Sequence, residues 1–85
     1  MNIDIKDLIT LSDNNEYVVC SKTEYQGNIY LYLIDINNNE NIKFGLIKYN
    51  ESSVNVIELE NQQLIQKLLP LFFENAKHIL EEEGV

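Results

Sequence analysis

The segment VIELENQQLIQKLLPLFFENAKHIL, residues 56–80, contains the change of hydrophobic pattern that decides the fold. Before Asn61, apolar residues come in short β-rich runs that polar turns separate. After Asn61 they recur every three or four residues, which is the spacing of an amphipathic helix. Asn61 is a suitable N-cap because its side chain can accept a hydrogen bond from a backbone N–H of the first turn. We therefore expect a β-sheet followed by a C-terminal helix over about residues 62–82.

The predicted helix has a wide apolar stripe, interrupted on its opposite, polar side by Pro70. The stripe comprises Leu64, Ile65, Leu68, Leu69, Phe72, Phe73, Ala76, Ile79 and Leu80. Pro70 either kinks one helix or separates two, because proline removes a backbone hydrogen bond and crowds the preceding turn. We favour one kinked helix, since the stripe continues in phase across Pro70.

Five β-rich runs precede the helix. They are residues 8–11, 16–25, 29–36, 42–49 and 54–59. The connections between them are short, whereas a parallel crossover needs a dozen or more residues. The sequence therefore predicts an α+β fold: a five-stranded antiparallel meander with the helix packed on one face through Leu64, Leu68, Phe72, Ala76 and Ile79. We expect residues 1–85 to form a single domain, with the strands over about 8–60.

Charge and composition exclude several classes of partner. The formal charge is −8, and the chain has six Lys and no Arg. Such a chain lacks the basic patch that neutralises phosphates, so we expect no direct binding to nucleic acid or to anionic membranes. The N-terminal residues lack the apolar run of a signal peptide, and Cys20 has no partner for an internal disulfide. These features favour a cytoplasmic protein.

Strand alternation divides the sheet into two predicted faces. We place Ile29, Leu31, Leu33, Ile42, Phe44 and Leu46 beneath the helix, because pure aliphatics and a Phe suit a core. The opposite face would carry Tyr30, Tyr32, Ile34, Ile47 and Tyr49, and one helix cannot cover both faces. Half-exposed tyrosines are common on solvated sheets, but Tyr is also enriched at protein interfaces. Both alternatives stay open, and the second makes these five residues a candidate surface for a protein partner or a homodimer.

Residues able to do chemistry are few and scattered. His78 shares a helical stripe with Glu74 and Glu82, which could hold a transition metal, but a solvated histidine near a helix C-terminus is the simpler interpretation. Cys20, within a β-run, is typical of a small half-buried hydrophobe. Glu58 and Glu60 lack a nearby group that would divide them into acid and base. We therefore expect no enzyme activity, no catalytic or metal site and no cofactor.

Several segments resemble the small acidic YrzB-like family of low-GC Gram-positive bacteria. They are Ile9-Thr10-Leu11 with Asp13, Glu16 and Tyr17, then Glu24 to Gly27, Tyr30 to Leu33, and Ile57-Glu58-Leu59 with the following helix. Asn stands where the family pattern has many acids, and Pro70 interrupts the helix. The resemblance implies a β-then-α architecture and no catalytic or binding residues.

Three functions fit these observations. The first is a non-enzymatic protein-interaction or regulatory module that uses the Tyr/Ile face or a sheet edge. The second is an acidic inhibitor, of the type some phages encode, that occupies a basic nucleic-acid-binding site on a host protein. The third is a small-ligand or nucleotide binder formed at an oligomer interface, which the scarcity of cations disfavours.

Overall fold

The computed structural model describes residues 3–83, with side chains described through Glu74. Five strands come first, and one helix follows. The strands are β1 (Leu8–Thr10), β2 (Glu16–Tyr25), β3 (Asn28–Asp35), β4 (Asn38–Tyr49) and β5 (Val54–Glu58), and the helix is α1 (Gln62–Glu83). The strands form one antiparallel sheet in the order β1-β2-β3-β4-β5. The predicted α+β meander with a C-terminal helix is confirmed.

The turns largely follow the sequence signals. Gln26 and Gly27 connect β2 to β3, and both have positive φ, at 51° and 83°. This is the pattern of the tight hairpin turns whose twist matches that of the strands. Asn14, also at positive φ, lies in the turn between β1 and β2, where the Asp13 carboxylate accepts a hydrogen bond from the Asn15 N–H.

The connection between β3 and β4 is shorter than predicted. Residues 37–41 were expected to form a loop, yet β4 already begins at Asn38, which pairs with Asp35. The Asp35 carboxylate accepts a hydrogen bond from the Asn37 N–H at 2.8 Å, which closes the turn locally. A register shift between Ile34 and Asp35 accompanies this turn. The loop prediction was therefore wrong because local side-chain bonding shortened the connection.

The sheet curls so that one face closes on itself. Tyr17, Val19, Leu31, Leu33 and Ile47 are buried together on this inner face. Partly buried residues from both ends of the sheet pack against them: Ile3, Ile5, Ile9, Val54 and Val56. A second register shift, at Cys20 between Val19 and Ser21, lies in the longest β2–β3 pairing, and such bulges increase local strand twist. The curl and the N-terminal residues thus cover a face that a flat sheet would leave open.

Helix α1 covers the opposite, outer face of the sheet. Leu68 and Phe72 are fully buried there against Tyr30, with Leu64 at the edge of the same cluster. Asn61 caps the helix, since its Oδ1 accepts a hydrogen bond from the Leu64 N–H at 3.2 Å. The predicted contacts of Ala76 and Ile79 fall outside the residues with described side chains.

A single helix continues through Pro70, which is exposed. This agrees with the favoured prediction of one helix rather than two. An exposed proline is tolerated because its ring and the carbonyl left without a donor face away from the packed side. Within residues 3–83, no helix is both long enough and apolar enough to cross a membrane.

Candidate interaction surface

The predicted Tyr/Ile face does not exist as a single exposed surface. Tyr30 is only 5 % exposed and lies beneath α1, and Tyr32 is half-buried beside it. Ile34 is half-buried on the same outer face. Ile47 lies in the inner core, whereas Tyr49 is 55 % exposed. The five residues are therefore divided between the two faces of the sheet, and the prediction of one uncovered face was wrong.

A one-residue error in the predicted alignment of β3 with β4 explains this result. The structure pairs Leu31 with Gly45 and Tyr32 with Phe44, so odd-numbered residues of both strands share the inner face. The prediction had instead grouped Leu31 with Phe44, beneath the helix. Because side chains alternate with period two, a slip of one residue exchanges the two faces. The helix accordingly packs on the tyrosines, whereas Leu31 and Leu33 of β3 line the closed inner face.

Beyond the helix, the outer face carries a row of aliphatic side chains. Leu8 pairs with Val18, Val18 with Ile34, and Ile34 with Ile42, so the row crosses four consecutive strands. Leu8 is 56 % exposed and Ile42 39 %, whereas Val18 and Ile34 are half-buried. Paired residues on one face lie about 4.5–5.5 Å apart, which makes the four side chains contiguous. We call these four residues the aliphatic row.

An aromatic cluster separates the aliphatic row from the helix core. Tyr32, which lies next to Ile34 on the same face of β3, packs edge-to-face on Phe44 and Phe72, with ring centroids 5.4 and 5.8 Å apart. Phe73 also contacts Tyr32, at 6.0 Å, but is 58 % exposed. Through its contact with Tyr32, the exposed Phe73 continues the apolar surface from this cluster onto the helix. Such contiguous apolar surface is typical of interaction sites.

The charges around the aliphatic row are mainly acidic. Glu16 and Glu40 precede Val18 and Ile42 by two residues, Lys6 precedes Leu8 in the same way, and exposed Glu74 follows Phe73. Lys43, next to Ile42, belongs to the inner face of β4, where its Nζ lies 3.8 Å from Glu58. A ligand of this surface would therefore meet apolar side chains with carboxylates nearby.

A polar network at one end of the sheet connects β2 with the β1–β2 turn and with the two strands that flank the β3–β4 turn. The buried Tyr17 hydroxyl donates to Asp13 Oδ2 at 2.6 Å and accepts from Asn41 Nδ2 at 3.1 Å. The Asn41 amide also donates to Asp35 Oδ2 at 3.0 Å. The hydrogen bond from Tyr17 lowers the pKa of Asp13, and burial raises the pKa of Tyr17. Both shifts move away from neutral pH, so the network suits structural support rather than general acid–base catalysis.

The other candidate residues that the structure describes do not lie together at one site. Cys20 is half-buried at the β2 bulge, and burial raises the pKa of its thiol, which disfavours the reactive thiolate. Glu58 pairs with Lys43 on the inner face, whereas Glu60 is exposed in the connection to α1. Among the residues the structure describes, no three His, Cys, Asp or Glu are grouped to hold a metal ion. The predicted His78 stripe lies outside the described side chains.

Sequence reasoning missed the aliphatic row because strand pairing decides which side chains meet. Leu8 and Val18 had been assigned to no face, Ile42 to the core and Phe73 to the buried helix stripe. The hairpin turn at Gln26-Gly27 fixes where β2 and β3 start to pair, but the bulge at Cys20 shifts the register before Val18 meets Ile34. No sequence signal marks that bulge.

A comparison with known proteins finds no match for this chain among protein-family models, curated proteins or solved structures. The resemblance to the YrzB-like family therefore stays a prediction that rests on the residues quoted above.

Proposed function

We propose that this protein is a small non-enzymatic interaction module whose aliphatic row binds an amphipathic helix of a basic protein partner. The observation that carries this proposal is the unbroken pairing of Leu8, Val18, Ile34 and Ile42 on a face where both end residues are exposed. Burying exposed aliphatic side chains contributes about 25 cal/mol per Å² of apolar area, so the exposed Leu8 and Ile42 offer a partner favourable apolar contacts.

The dimensions of the aliphatic row suit a helix. Adjacent strands lie about 4.8 Å apart, so four paired side chains extend over about 14 Å. One helical turn rises 5.4 Å, and apolar residues at i, i+4, i+7 and i+11 therefore span about 16 Å. Helix α1 already packs across this face, on Tyr30 of β3 and through the hydrogen bond from Ser21 of β2 to the Phe72 carbonyl. A partner helix lying on the sheet alongside α1 would contact the aliphatic row beneath it and Phe73 of α1 at its side.

Charge favours a basic partner over a second copy of this chain. Two protomers with formal charge −8 repel each other, and Glu16, Glu40 and Glu74 lie near the row. A helix with Lys or Arg beside its apolar stripe would instead be attracted, and its association would weaken as salt screens the charges. We place this module in the cytoplasm, in keeping with its single cysteine, and assign it no direct nucleic-acid or membrane partner.

Isothermal titration with designed peptides tests the proposal. The probe is a helical peptide with Leu at i, i+4, i+7 and i+11 and Lys at the flanking positions; its counterpart has Glu in place of Lys. Leu8→Ser and Ile42→Ser should each weaken binding of the Lys peptide about threefold to tenfold, because each removes an exposed aliphatic contact. Ile57→Ser is the matched control, since Ile57 is 49 % exposed on β5 and lies outside the row.

Three results would contradict the proposal. The first is no binding of the Lys peptide to the wild type, and the second is equal weakening by Ile57→Ser. The third is a concentration-dependent dimer in sedimentation equilibrium that Ile42→Ser abolishes, which would make a second copy the occupant. An acidic inhibitor, the alternative function, would bind a basic protein through carboxylates, and its binding would be unchanged by Ile42→Ser.

A further inference from the structure

The two edges of the curled sheet face each other across a groove of about 480 Å³. Its lining comes from both edge strands and the N-terminal segment: Ile3, Asp7, Leu8, Ile9, Thr10, Val54, Asn55 and Val56. Among residues 3–83, β1 pairs only with β2 and β5 only with β4. Ligand sites in proteins commonly measure about 300–1,000 Å³, so the groove is large enough for a segment of chain.

The edge strands present backbone hydrogen-bonding groups to this groove. In antiparallel pairs, alternate residues direct their N–H and C=O groups toward the partner strand. The Asp7 carbonyl accepts from Val19, and the Leu11 N–H donates to Asn15, so residues 7, 9 and 11 of the first edge face β2. The intervening residues, Leu8 and Thr10, therefore direct their backbone groups away from β2.

The same alternation applies to β5. The Leu59 N–H donates to the Phe44 carbonyl at 2.7 Å, and the Asn50 N–H donates to the Ser53 carbonyl at 2.9 Å. Residues 53, 55, 57 and 59 thus face β4, which leaves the backbone groups of Val54 and Val56 directed away from it. Both edges therefore offer a row of donors and acceptors to the groove between them.

Strand direction defines what can fill the groove. In an antiparallel meander of five strands, β1 and β5 run in the same direction. A single added strand running the opposite way would pair antiparallel with both edges at once and close the sheet into a six-stranded barrel. Addition of an extended peptide to a sheet edge is a general mode of recognition.

We propose that the groove between β1 and β5 binds an extended segment of a partner protein, in which apolar residues alternate with Lys or Arg. The apolar residues would face Ile9, Val54 and Val56, which pack at the border of the inner core. The intervening Lys or Arg residues would face outward, where the formal charge of −8 adds long-range attraction for a cationic strand. This site is separate from the helix-binding function proposed above, although Leu8 borders both.

NMR titration with a short acetylated and amidated peptide of alternating Lys and Val tests this inference. The variants change Thr10, which is exposed and lies outside the aliphatic row. Thr10→Pro removes the N–H that faces the groove without removing a bond to β2, and proline is tolerated at such edge positions. Thr10→Val keeps the N–H and is the matched control. Spectra of each variant without peptide establish that the fold is retained.

The expected result has two parts. The peptide should shift the amide signals of Leu8, Thr10, Val54 and Val56 and slow their hydrogen exchange. Thr10→Pro should bind about threefold to tenfold more weakly than Thr10→Val, the effect of one lost hydrogen bond. If Thr10→Pro unfolds the protein, Val54→Pro makes the same comparison on the other edge, against Val54→Thr.

Three results would overturn the inference: no peptide binding, shifts confined to residues outside the groove, or equal affinity of the proline variants and their controls. The helical Lys peptide provides an independent reference, because Thr10→Pro should bind it as the wild type does. Failure of the groove and failure of the aliphatic row are thereby distinguished.

Discussion

The Ser21 hydroxyl on β2 donates a buried hydrogen bond to the backbone carbonyl of Phe72 on α1, with the two oxygens 2.8 Å apart. This bond joins residues far apart in the chain and fixes the helix at one point above the sheet. With Phe72 held in this position, its ring is fully buried and that of neighbouring Phe73 is exposed. The contact therefore helps decide which part of the outer face stays open.

We predict that Ser21→Ala lowers the free energy of unfolding by about 0.5–1.5 kcal/mol, the net contribution of a typical buried hydrogen bond. Urea denaturation measures this change. Ser52→Ala is the control because Ser52 is exposed in the turn between β4 and β5, and its effect should stay within about 0.5 kcal/mol. Equal effects of the two substitutions would show that the Ser21 bond does not stabilise the fold.

The neighbouring residues Phe72 and Phe73 form a matched pair for testing the helix orientation. Phe72→Ala should lower the free energy of unfolding by about 3–5 kcal/mol because it leaves a cavity against Tyr30 and Leu68. Phe73→Ala should lower the free energy of unfolding by less than about 1 kcal/mol, since its ring is largely exposed. Thermal or urea unfolding gives both values, and the reverse ranking would mean that α1 is rotated relative to the sheet.

Close packing of the inner face can be tested at Gly45. A Cβ atom added there would lie 2.7 Å from Val56 Cγ1 and 3.3 Å from Leu33 Cδ1. Gly45→Ala should therefore destabilise the protein by about 1–3 kcal/mol through overpacking. The double variant Gly45→Ala/Val56→Ala should recover part of this loss relative to the sum of the single changes, as a double-mutant cycle measures. Simple additivity would contradict the predicted contact.

The Tyr17–Asp13 hydrogen bond predicts a defined pH dependence. Burial raises the pKa of Tyr17 above 10.0. The stability that neutral Tyr17 provides is therefore complete below pH 10.0 and is lost as the pH rises through the raised pKa. The hydrogen bond from Tyr17 lowers the pKa of Asp13 below 3.8, so that contribution is present above pH 3.8 and is lost as the pH falls through the lowered value.

Tyr17→Phe should therefore lower the free energy of unfolding by about 1–2 kcal/mol near neutral pH. This stability difference between variant and wild type should shrink at both acid and alkaline pH. Urea denaturation of both proteins from pH 3 to pH 11 measures this difference. Because both proteins contain the other titrating groups, the effects of those groups cancel in the subtraction. A difference that stays constant above pH 10 would contradict the assigned effect of Tyr17 ionisation.

The element types could be predicted because local patterns determine them. The alternation of short β-rich runs gave five strands, and the period after Asn61 gave the helix and its N-cap. Register could not be predicted, since it depends on the bulge at Cys20 and on the Asp35 carboxylate that closes the turn before β4.

The candidate site was accessible from sequence only in part. Leu8, Val18, Ile34 and Ile42 could each be recognised as strand residues, but nothing local indicates that they pair in one row. The prediction of one exposed Tyr/Ile face was wrong because the β3–β4 alignment divides its residues between the two faces of the sheet. The curl that buries Ile47 in the inner core depends on contacts between the two ends of the sheet, and Val54 and Val56 join the same core.

The most direct test of the aliphatic row is a methyl-resolved NMR titration of the wild-type protein with the helical Lys peptide. The account predicts that the methyl signals of Leu8, Val18, Ile34 and Ile42 shift together at one common affinity, and that this affinity falls as salt is raised. The methyls of Ile57 and of buried Leu33 should stay unchanged. Shifts that leave the four row residues unaffected, or that are largest at Ile57, would contradict the account.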